Sequence, residues 1–140
     1  MILLDTNVLS ELMKPKPSGR VAAWVAQQPT ADLYTSAITE AEIFYGIELL
    51  AKGKRRDSLL AAAEGMFTED FAGRVLAFES DAARYFARIA AHRRALGRPI
   101  SHADAQIAAI ARAHGAKLAT GNGPDFADCG LTVIDPWRTP

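Results

Sequence analysis

Apolar and polar positions alternate in blocks along the chain, and the first block introduces the pattern. Ile2, Leu3 and Leu4 form an unbroken apolar run that ends at the polar residues 5–7. A short apolar run ended by polar residues is typical of a strand that is buried on both faces of a parallel sheet. We therefore predict a first strand over this run, with Asp5 at its carboxyl end.

Helical and strand patterns then follow one another to the last residues. Apolar residues at helical spacing, interrupted by proline and glycine, predict six helices over about 8–13, 18–28, 37–51, 59–67, 81–96 and 101–114. Short apolar runs predict further strands over 33–36, 75–78, 117–120 and 131–134. This alternation predicts one α/β domain over 1–140, with a mostly parallel sheet of about five short strands and helices on both of its faces.

Composition narrows the classes of protein to which the chain can belong. Sixteen basic residues balance sixteen acidic ones, so any contact with nucleic acid has to use a local patch. A single cysteine, Cys129, excludes an intrachain disulfide and a zinc site built from cysteines. No apolar run approaches the roughly 18 residues of a membrane helix. We expect a cytoplasmic protein that does not bind membranes.

Four carboxylates lie at comparable places in the predicted fold. Asp5 follows the first strand, Glu42 lies early in the helix after the second, Asp104 lies in the first turn of the helix from 101, and Asp125 follows the strand over 117–120. In a parallel sheet these places face one edge. Acids brought together repel one another unless they are protonated or bridged by a cation. Oxygen ligands suit Mg²⁺ or Mn²⁺, which can activate water and stabilise charge on a phosphoryl group.

Each of these acids except the first also has a plain local interpretation. The segments Thr39–Glu42 and Ser101–Asp104 both match a helix capping box or its aspartate variant. Asp125, in Gly-Pro-Asp-Phe, fits an ordinary turn. No comparable local role is evident for Asp5. The coincidence of all four acids therefore carries the hypothesis of a metal site.

Other features allow more than one interpretation. Two basic clusters fit either solvated helix surfaces or phosphate contacts beside the acids: Lys52, Lys54, Arg55 and Arg56, and separately Arg93, Arg94 and Arg98. His102 lies near the acids, but we do not expect it to be a ligand. A phosphatase of the haloacid-dehalogenase kind needs a second acid two residues after Asp5, where the chain has Asn7. A receiver-type signalling domain needs paired acids and a lysine that are not evident, whereas a metal-binding module without catalysis remains open.

Five segments together resemble a known family. They are Leu-Leu-Asp-Thr-Asn-Val-Leu-Ser-Glu (3–11), Thr-Ser-Ala-Ile-Thr-Glu-Ala-Glu-Ile-Phe-Tyr-Gly-Ile (35–47), Ile-Ser-His-Ala-Asp-Ala-Gln-Ile-Ala-Ala-Ile-Ala (100–111), Ala-Thr-Gly-Asn-Gly-Pro-Asp-Phe (119–126) and Val-Ile-Asp-Pro-Trp (133–137). In order and spacing they resemble PIN-domain ribonucleases, specifically VapC-type toxins of bacterial type II toxin–antitoxin pairs. The resemblance spans nearly the whole chain.

The resemblance implies a fold, a chemistry and a set of roles. The fold is a Rossmann-like, three-layer α/β/α sandwich, and the chemistry is Mg²⁺- or Mn²⁺-dependent endonuclease cleavage of RNA by activated water. By motif, Asp5, Glu42 and Asp104 are the core metal-site and catalytic acids, and Asp125 is the fourth, more variable one. The resemblance also indicates four residues that orient these carboxylates: Thr6, Asn7, Thr120 and Asn122.

The resemblance also implies partners. The family's antitoxin is a small protein whose C-terminal segment wraps around the toxin and often offers a basic side chain to the acidic pocket. The toxin commonly forms a homodimer, and promoter DNA is bound only through the antitoxin of the complex. This chain departs from the family at Gly121, where arginine is common, and the change removes a basic residue that could contact the RNA backbone.

Overall fold

The strand that opens the chain lies at the centre of the sheet. The computed structural model describes residues 1–140, and its first strand, β1 (Ile2–Leu4), has a parallel neighbour on each side. Leu3 and Leu4 are fully buried in cores on opposite faces, because successive side chains of a strand point in opposite directions. The predicted strand, buried on both faces, is confirmed.

Four more strands complete a five-stranded sheet in which every pairing is parallel. They are β2 (Leu33–Ser36), β3 (Val75–Leu76), β4 (Lys117–Ala119) and β5 (Val133–Ile134). The order across the sheet is β3-β2-β1-β4-β5, and Leu3 of β1 lies opposite Tyr34 of β2 and Leu118 of β4. All five carboxyl ends therefore lie at one edge, where open α/β sheets bind ligands.

Six helices cover the two faces of the sheet. They are α1 (Thr6–Leu12), α2 (Gly19–Gln27), α3 (Ala37–Glu48), α4 (Lys54–Gly65), α5 (Ser80–Ala95) and α6 (His102–Ala113). The first four supply one core, around Val8 and Ile43, and the last two supply the other, around Ile89 and Ile107. The three-layer α/β/α prediction is confirmed. No helix combines the length and the apolar content that crossing a membrane requires.

Several predicted boundaries were wrong. α1 begins at Thr6, two residues before the predicted start, because the Asp5 carboxylate caps it. The strands predicted over 75–78 and 131–134 are each reduced to two residues. α4 begins at Lys54, five residues before the predicted start at 59, so Lys54 to Arg56 form its first turn. α4 continues into a π-helical turn, Met66–Asp70, which no sequence pattern had indicated.

Candidate active site

Asp5 is buried at the carboxyl end of the central strand, with 4% of its surface exposed. Its backbone N–H donates to the carbonyl of Ala119 at 2.9 Å, which ties it to β4. Its Oδ1 accepts from the Thr6 backbone N–H at 2.8 Å, and its Oδ2 accepts from the Asn7 amide and the Thr120 hydroxyl, both at 2.8 Å. Asp5 thus has a local role after all, as the N-cap of α1, and three donors fix the orientation of its carboxylate.

Asn7 and Thr120 join the ends of β1 and β4 around Asp5. The Asn7 amide donates to the Thr120 hydroxyl at 3.1 Å and accepts from the Gly121 N–H at 3.0 Å. Asn122 donates only its backbone N–H, to the Thr120 hydroxyl at 3.0 Å, and its side chain makes no hydrogen bond to the four acids. Because residue 7 is a donor to Asp5 and not a second acid, the phosphatase alternative lacks the group that it needs.

Glu42 does not belong to a capping box. α3 is capped by Ser36, whose hydroxyl accepts from the Thr39 N–H at 3.1 Å, so the helix starts earlier than Thr39 and Glu42 lies in its second turn. The Glu42 carboxylate is exposed and accepts from the Thr6 hydroxyl at 2.7 Å. The capping interpretation of Thr39–Glu42 is wrong. Glu42 is instead held by Thr6, the residue that follows Asp5.

Asp104 is half-buried in the first turn of α6, as predicted. Ser101 caps this helix, and its hydroxyl accepts from the Asp104 N–H at 3.2 Å, so this part of the capping interpretation is confirmed. Burial raises the pKa of Asp104, and the charges of Asp125 and Glu42 raise it further. The hydrogen bond with Ser101 and the positive charge of Arg93 lower the same pKa. The Asp104 backbone therefore takes part in the helix cap, while its carboxylate lies within the electrostatic field of Asp125 and Glu42.

Asp125 lies in a short 3-10 turn, Gly123–Phe126, that follows β4. Its side chain is exposed, and its backbone N–H donates to the carbonyl of Asn122 at 3.0 Å, as in an ordinary turn. Its charge nevertheless reaches Asp104, whose pKa it raises. Asp125 is therefore an ordinary turn residue in its backbone, and its carboxylate lies close enough to the other acids to act on Asp104.

The four acids share one electrostatic environment. Burial raises the pKa of Asp5 from 3.8 to about 6, and the charges of Asp104 and Glu42 add to this rise. Hydrogen bonds from Thr120 and Thr6 to the carboxylate lower the pKa of Asp5 and oppose part of the effect. Since Asp125 acts on Asp104 in the same way, the fold brings all four predicted acids to one edge of the sheet. Clustered acids with raised pKa values are typical of functional sites.

The donor set fits a hard divalent cation. Every candidate ligand atom is a carboxylate oxygen, and the nearby His102 ring packs against Phe86 with its centroid 5.5 Å away. As the side chains lie, no three His, Cys, Asp or Glu residues converge closely enough to hold a metal ion. Carboxylates repel one another without a cation between them, so the exposed side chains of Glu42 and Asp125 have to turn inward to complete a site.

Sequence reasoning missed Arg93, which had been grouped with solvated or phosphate-binding residues. It is buried, with 5% exposed, and donates to the carbonyls of Arg98, Asp125 and Ala127. A signal was present, because Arg93 lies one helical turn after Ile89 on the apolar side of α5. The other basic residues fit the solvated interpretation better, since Arg56 and Arg98 form surface ion pairs with Glu48 and Asp128.

A steric conflict with Trp137 disfavours any side chain at position 121. A Cβ atom added to Gly121 would lie 2.8 Å from a ring carbon of Trp137, which is closer than real Cβ contacts allow. The Trp137 indole therefore occupies the space that a side chain at 121 would need. An arginine at this position would require the Trp137 ring to move.

The parallel sheet between two layers of helices matches the PIN-domain fold, and the family model of that name matches residues 2–130. VapC ribonuclease Y4jK of Sinorhizobium fredii is 44% identical over 138 residues, 99% of each chain. Toxin FitB of Neisseria gonorrhoeae is 40% identical over 138 residues, again 99% of each. A solved structure of FitAB bound to an IR36 DNA fragment superposes with a TM-score of 0.92 at 39% identity, covering 100% of this chain and 98% of that one. The chain belongs to the PIN-domain family, among the VapC-type toxins of toxin–antitoxin systems.

Proposed function

We propose that the protein is a metal-dependent endoribonuclease and the toxin half of a toxin–antitoxin pair. The observation that carries the proposal is the buried carboxylate of Asp5, which three donors fix at the end of the central strand. The charges of Glu42 and Asp104 are close enough to raise its pKa. The names of the two relatives, a ribonuclease and a toxin, support the same activity for this chain.

Asp5, Glu42 and Asp104 would hold Mg²⁺ or Mn²⁺, and Asp125 would complete the site. When bound, such an ion supplies an activated water and neutralises charge that develops on a phosphate. A cation also offsets the unfavourable burial of the Asp5 charge. The four carboxylates by themselves repel a phosphodiester, so RNA can approach this edge only when the acids are neutralised. Metal binding and substrate binding are therefore coupled through the same side chains.

The surrounding residues keep the acids in place during the reaction. Thr120 and Asn7 hold Oδ2 of Asp5, so this carboxylate does not have to be ordered when substrate arrives. The Thr6 hydroxyl keeps Glu42 nearby, in a position from which it would turn toward a bound ion. Cleavage that leaves a 5′-phosphate and a 3′-hydroxyl is the outcome that the family resemblance implies, and sequencing of the product ends tests it.

The test is cleavage of a mixed RNA pool by the purified, antitoxin-free protein with Mg²⁺, Mn²⁺ or chelator. Asp5→Asn and Asp104→Asn remove proposed ligands, whereas Asp32→Asn is a matched control because Asp32 is exposed at the opposite end of β2. We expect discrete cuts by the wild type and the control. The two ligand variants should lose more than about 100-fold in cleavage activity. A loss of up to about 100-fold is typical when the removed residue only supports a metal ligand.

Three outcomes would contradict parts of this proposal. Equal cutting by Asp5→Asn would identify a contaminating nuclease and remove the catalytic assignment. Cutting that persists in chelator would remove the metal requirement. Mn²⁺ binding that depends on Asp5 without any cleavage would instead support a non-catalytic metal-binding module that acts through its protein partner.

The antitoxin would occupy a groove that leads away from the acids. Cavities of about 220 and 500 Å³ share the residues Ser10, Met13 and Leu59, so they form one continuous groove between α1, α3 and α4. One end of the groove reaches Thr6 and Glu42. A mostly apolar groove that ends at carboxylates suits a peptide with apolar side chains and one basic side chain, which would pair with the acids.

Gly46 offers a way to test this location. It lines the groove on α3, and a Cβ added there meets nothing within 4 Å, so Gly46→Gln fills the groove without straining the fold. Gly65→Gln is the matched control, since Gly65 is also helical and open but lies outside the groove. We expect Gly46→Gln alone to weaken antitoxin binding at least about tenfold in calorimetry, and equal affinities would exclude the groove.

We further propose that the toxin works as a homodimer in the cytoplasm and reaches promoter DNA only through the antitoxin. The FitAB relative bound to an IR36 DNA fragment supports DNA binding by an assembled complex. Light scattering on the free toxin, and DNA binding measured with and without the antitoxin, test these assemblies.

A further inference from the structure

A buried arginine lies beneath the loop that carries Asp125. Arg93, on α5, has 5% of its surface exposed, and none of the ion pairs in the structure includes it. A guanidinium stays charged in proteins, and a charge removed from water without a paired anion is strongly unfavourable unless its donors are satisfied. The position of Arg93 therefore requires specific partners, and their identity is informative.

The partners are backbone carbonyls from two separate connections. The Arg93 Nε donates to the carbonyl of Arg98 at 2.8 Å, in the turn between α5 and α6. Its Nη1 donates to the carbonyls of Asp125 at 2.7 Å and Ala127 at 3.1 Å, and lies 3.8 Å from the Cys129 sulfur. One guanidinium thus fastens the loop after β4 to the turn that leads into α6.

These two connections carry two of the four acids. The loop carries Asp125, and the turn leads within a few residues to Asp104 at the start of α6. The charge of Arg93 also acts on Asp104 directly, because it lowers the pKa that burial raises. Arg93 therefore contacts the backbone of one acid and lies within the electrostatic reach of the other.

We propose that Arg93 is a positioning residue of the metal site, which holds the Asp125 loop against the start of α6 so that Asp125 and Asp104 face the same ion. This inference rests on the proposed metal-dependent function. Arg93 contacts no reacting atom, and it acts only through the two connections that it joins. Between residues 123 and 127, Arg93 is the side chain from another element that holds the loop. The side chains of Arg98 and Arg112 contact the loop further on, at Asp128 and at the Cys129 carbonyl.

The test measures Mn²⁺ affinity by electron paramagnetic resonance for the wild type and four variants. They are Arg93→Lys, Asp125→Asn, the double variant Arg93→Lys/Asp125→Asn, and Arg94→Lys as a control. Lysine keeps the charge, but its single ammonium cannot reproduce the planar fork that serves three carbonyls. Arg94 is the exposed neighbour on the same helix, and its side chain makes no hydrogen bond.

We expect Arg93→Lys to weaken Mn²⁺ binding by about 10–100-fold and Arg94→Lys to leave it unchanged. Because Arg93 acts through Asp125, the double variant should bind no more weakly than Asp125→Asn alone. Wild-type affinity in Arg93→Lys, or losses that multiply in the double variant, would overturn the inference. A general loss of stability would not produce this dependence on Asp125.

Amide hydrogen exchange supplies a readout that needs no metal. Arg93→Lys should speed exchange at the backbone amides of residues 125–129, whereas Arg94→Lys should not, and unchanged exchange would overturn the inference. If Arg93→Lys fails to fold, Arg93→Gln keeps an amide donor without a buried charge and takes its place. If the wild type binds no Mn²⁺, the proposed function fails, and the exchange experiment alone decides whether Arg93 holds the loop.

Discussion

Asp5 combines two roles that oppose each other energetically. Its carboxylate caps α1 through the Thr6 N–H, which favours folding, and its burial among other acids disfavours the charge that a metal site needs. A pKa of about 6 in the fold, against an ordinary value of 3.8, corresponds to about 3 kcal/mol of destabilisation at neutral pH. This destabilisation should be present in the metal-free protein, and a bound cation should remove it.

The first prediction concerns the pH dependence of stability in chelator. Because the pKa of Asp5 is higher in the folded than in the unfolded chain, protonated Asp5 stabilises the fold below about pH 4, and this contribution is lost as pH rises through about 6. The unfolding free energy of Asp5→Asn, relative to wild type, should therefore rise by about 2–3 kcal/mol between pH 4 and pH 7.5.

Urea denaturation at the two pH values measures this difference. Any constant effect of the new amide beside Asn7 cancels in the comparison, since only the change with pH is used. A difference between variant and wild type that does not change with pH would contradict the raised pKa of Asp5.

The second prediction concerns the packing of Gly121 against Trp137. Gly121→Ala should lower the unfolding free energy by about 1–3 kcal/mol, because its Cβ would overlap the indole unless the ring moves. In a Trp137→Ala background the same substitution should have almost no effect. Thermal unfolding of the four proteins gives the coupling, and additive losses would show that the steric conflict lies elsewhere.

Among single residues, sequence reasoning found those that follow strands and missed those that depend on packing. Asp5, Glu42 and Asp104 were identifiable because the carboxyl ends of parallel strands share an edge. The burial of Arg93 was missed because a basic residue next to Arg94 and before Arg98 resembles a solvated surface. Two of its three partner carbonyls also lie more than 30 residues away. Residues whose roles depend on distant backbone atoms leave little local signal.

At the scale of elements, three helices begin at the acidic edge and each is capped by a side chain beside the site. The caps are Asp5 for α1, Ser36 for α3 and Ser101 for α6. Thr39–Glu42 matches the capping-box motif in sequence and offers Thr39 as a cap. β2, however, ends at Ser36 and the chain enters the helix immediately. Cap motifs locate helix starts only to within a turn, since the end of the preceding strand decides which candidate is used.

The third prediction separates the structural effect of a cap from its effect on the site. Ser101→Ala and Ser18→Ala remove the caps of α6 and α2, and each should lower stability by about 1 kcal/mol. Only Ser101→Ala should also weaken Mn²⁺ binding, because its hydroxyl orients the turn that carries Asp104. If Ser101→Ala and Ser18→Ala are destabilised equally and bind Mn²⁺ with equal affinity, the Ser101 cap does not position Asp104.

At the scale of the whole molecule, the sheet order explains why the site could be predicted only in part. The alternation of strands and helices indicates parallel strands, and hence a shared edge, but it does not indicate which strands are neighbours. β1 lies between β2 and β4, so segments distant in sequence meet at Asp5. The set of acids was therefore accessible from sequence, whereas the contacts of Asn7 with Thr120 and Gly121 were not.

The fourth prediction concerns divalent metal and global stability. A ligand present at 100 times its dissociation constant stabilises the native state by about 2.7 kcal/mol, which is roughly 10 °C in melting temperature for a chain of this length. Mg²⁺ or Mn²⁺ should raise the melting temperature of the wild type and of Asp32→Asn, and chelator should reverse the rise. A similar rise in Asp5→Asn and Asp104→Asn would place the stabilising ion somewhere else.

The neighbours of Asp5 in the sheet also determine when during translation the site can form. The Thr120 hydroxyl that donates to the Asp5 carboxylate is 115 residues later in the chain. The Ala119 carbonyl that accepts the Asp5 N–H belongs to the residue before Thr120. A ribosome that has synthesised the chain only through α6 has already produced Asp5, Glu42 and Asp104, yet β1 still lacks the strand that completes its surroundings. The nascent polypeptide therefore carries three acids without an assembled centre, and the proposed nuclease site stays incomplete until residue 120 has emerged.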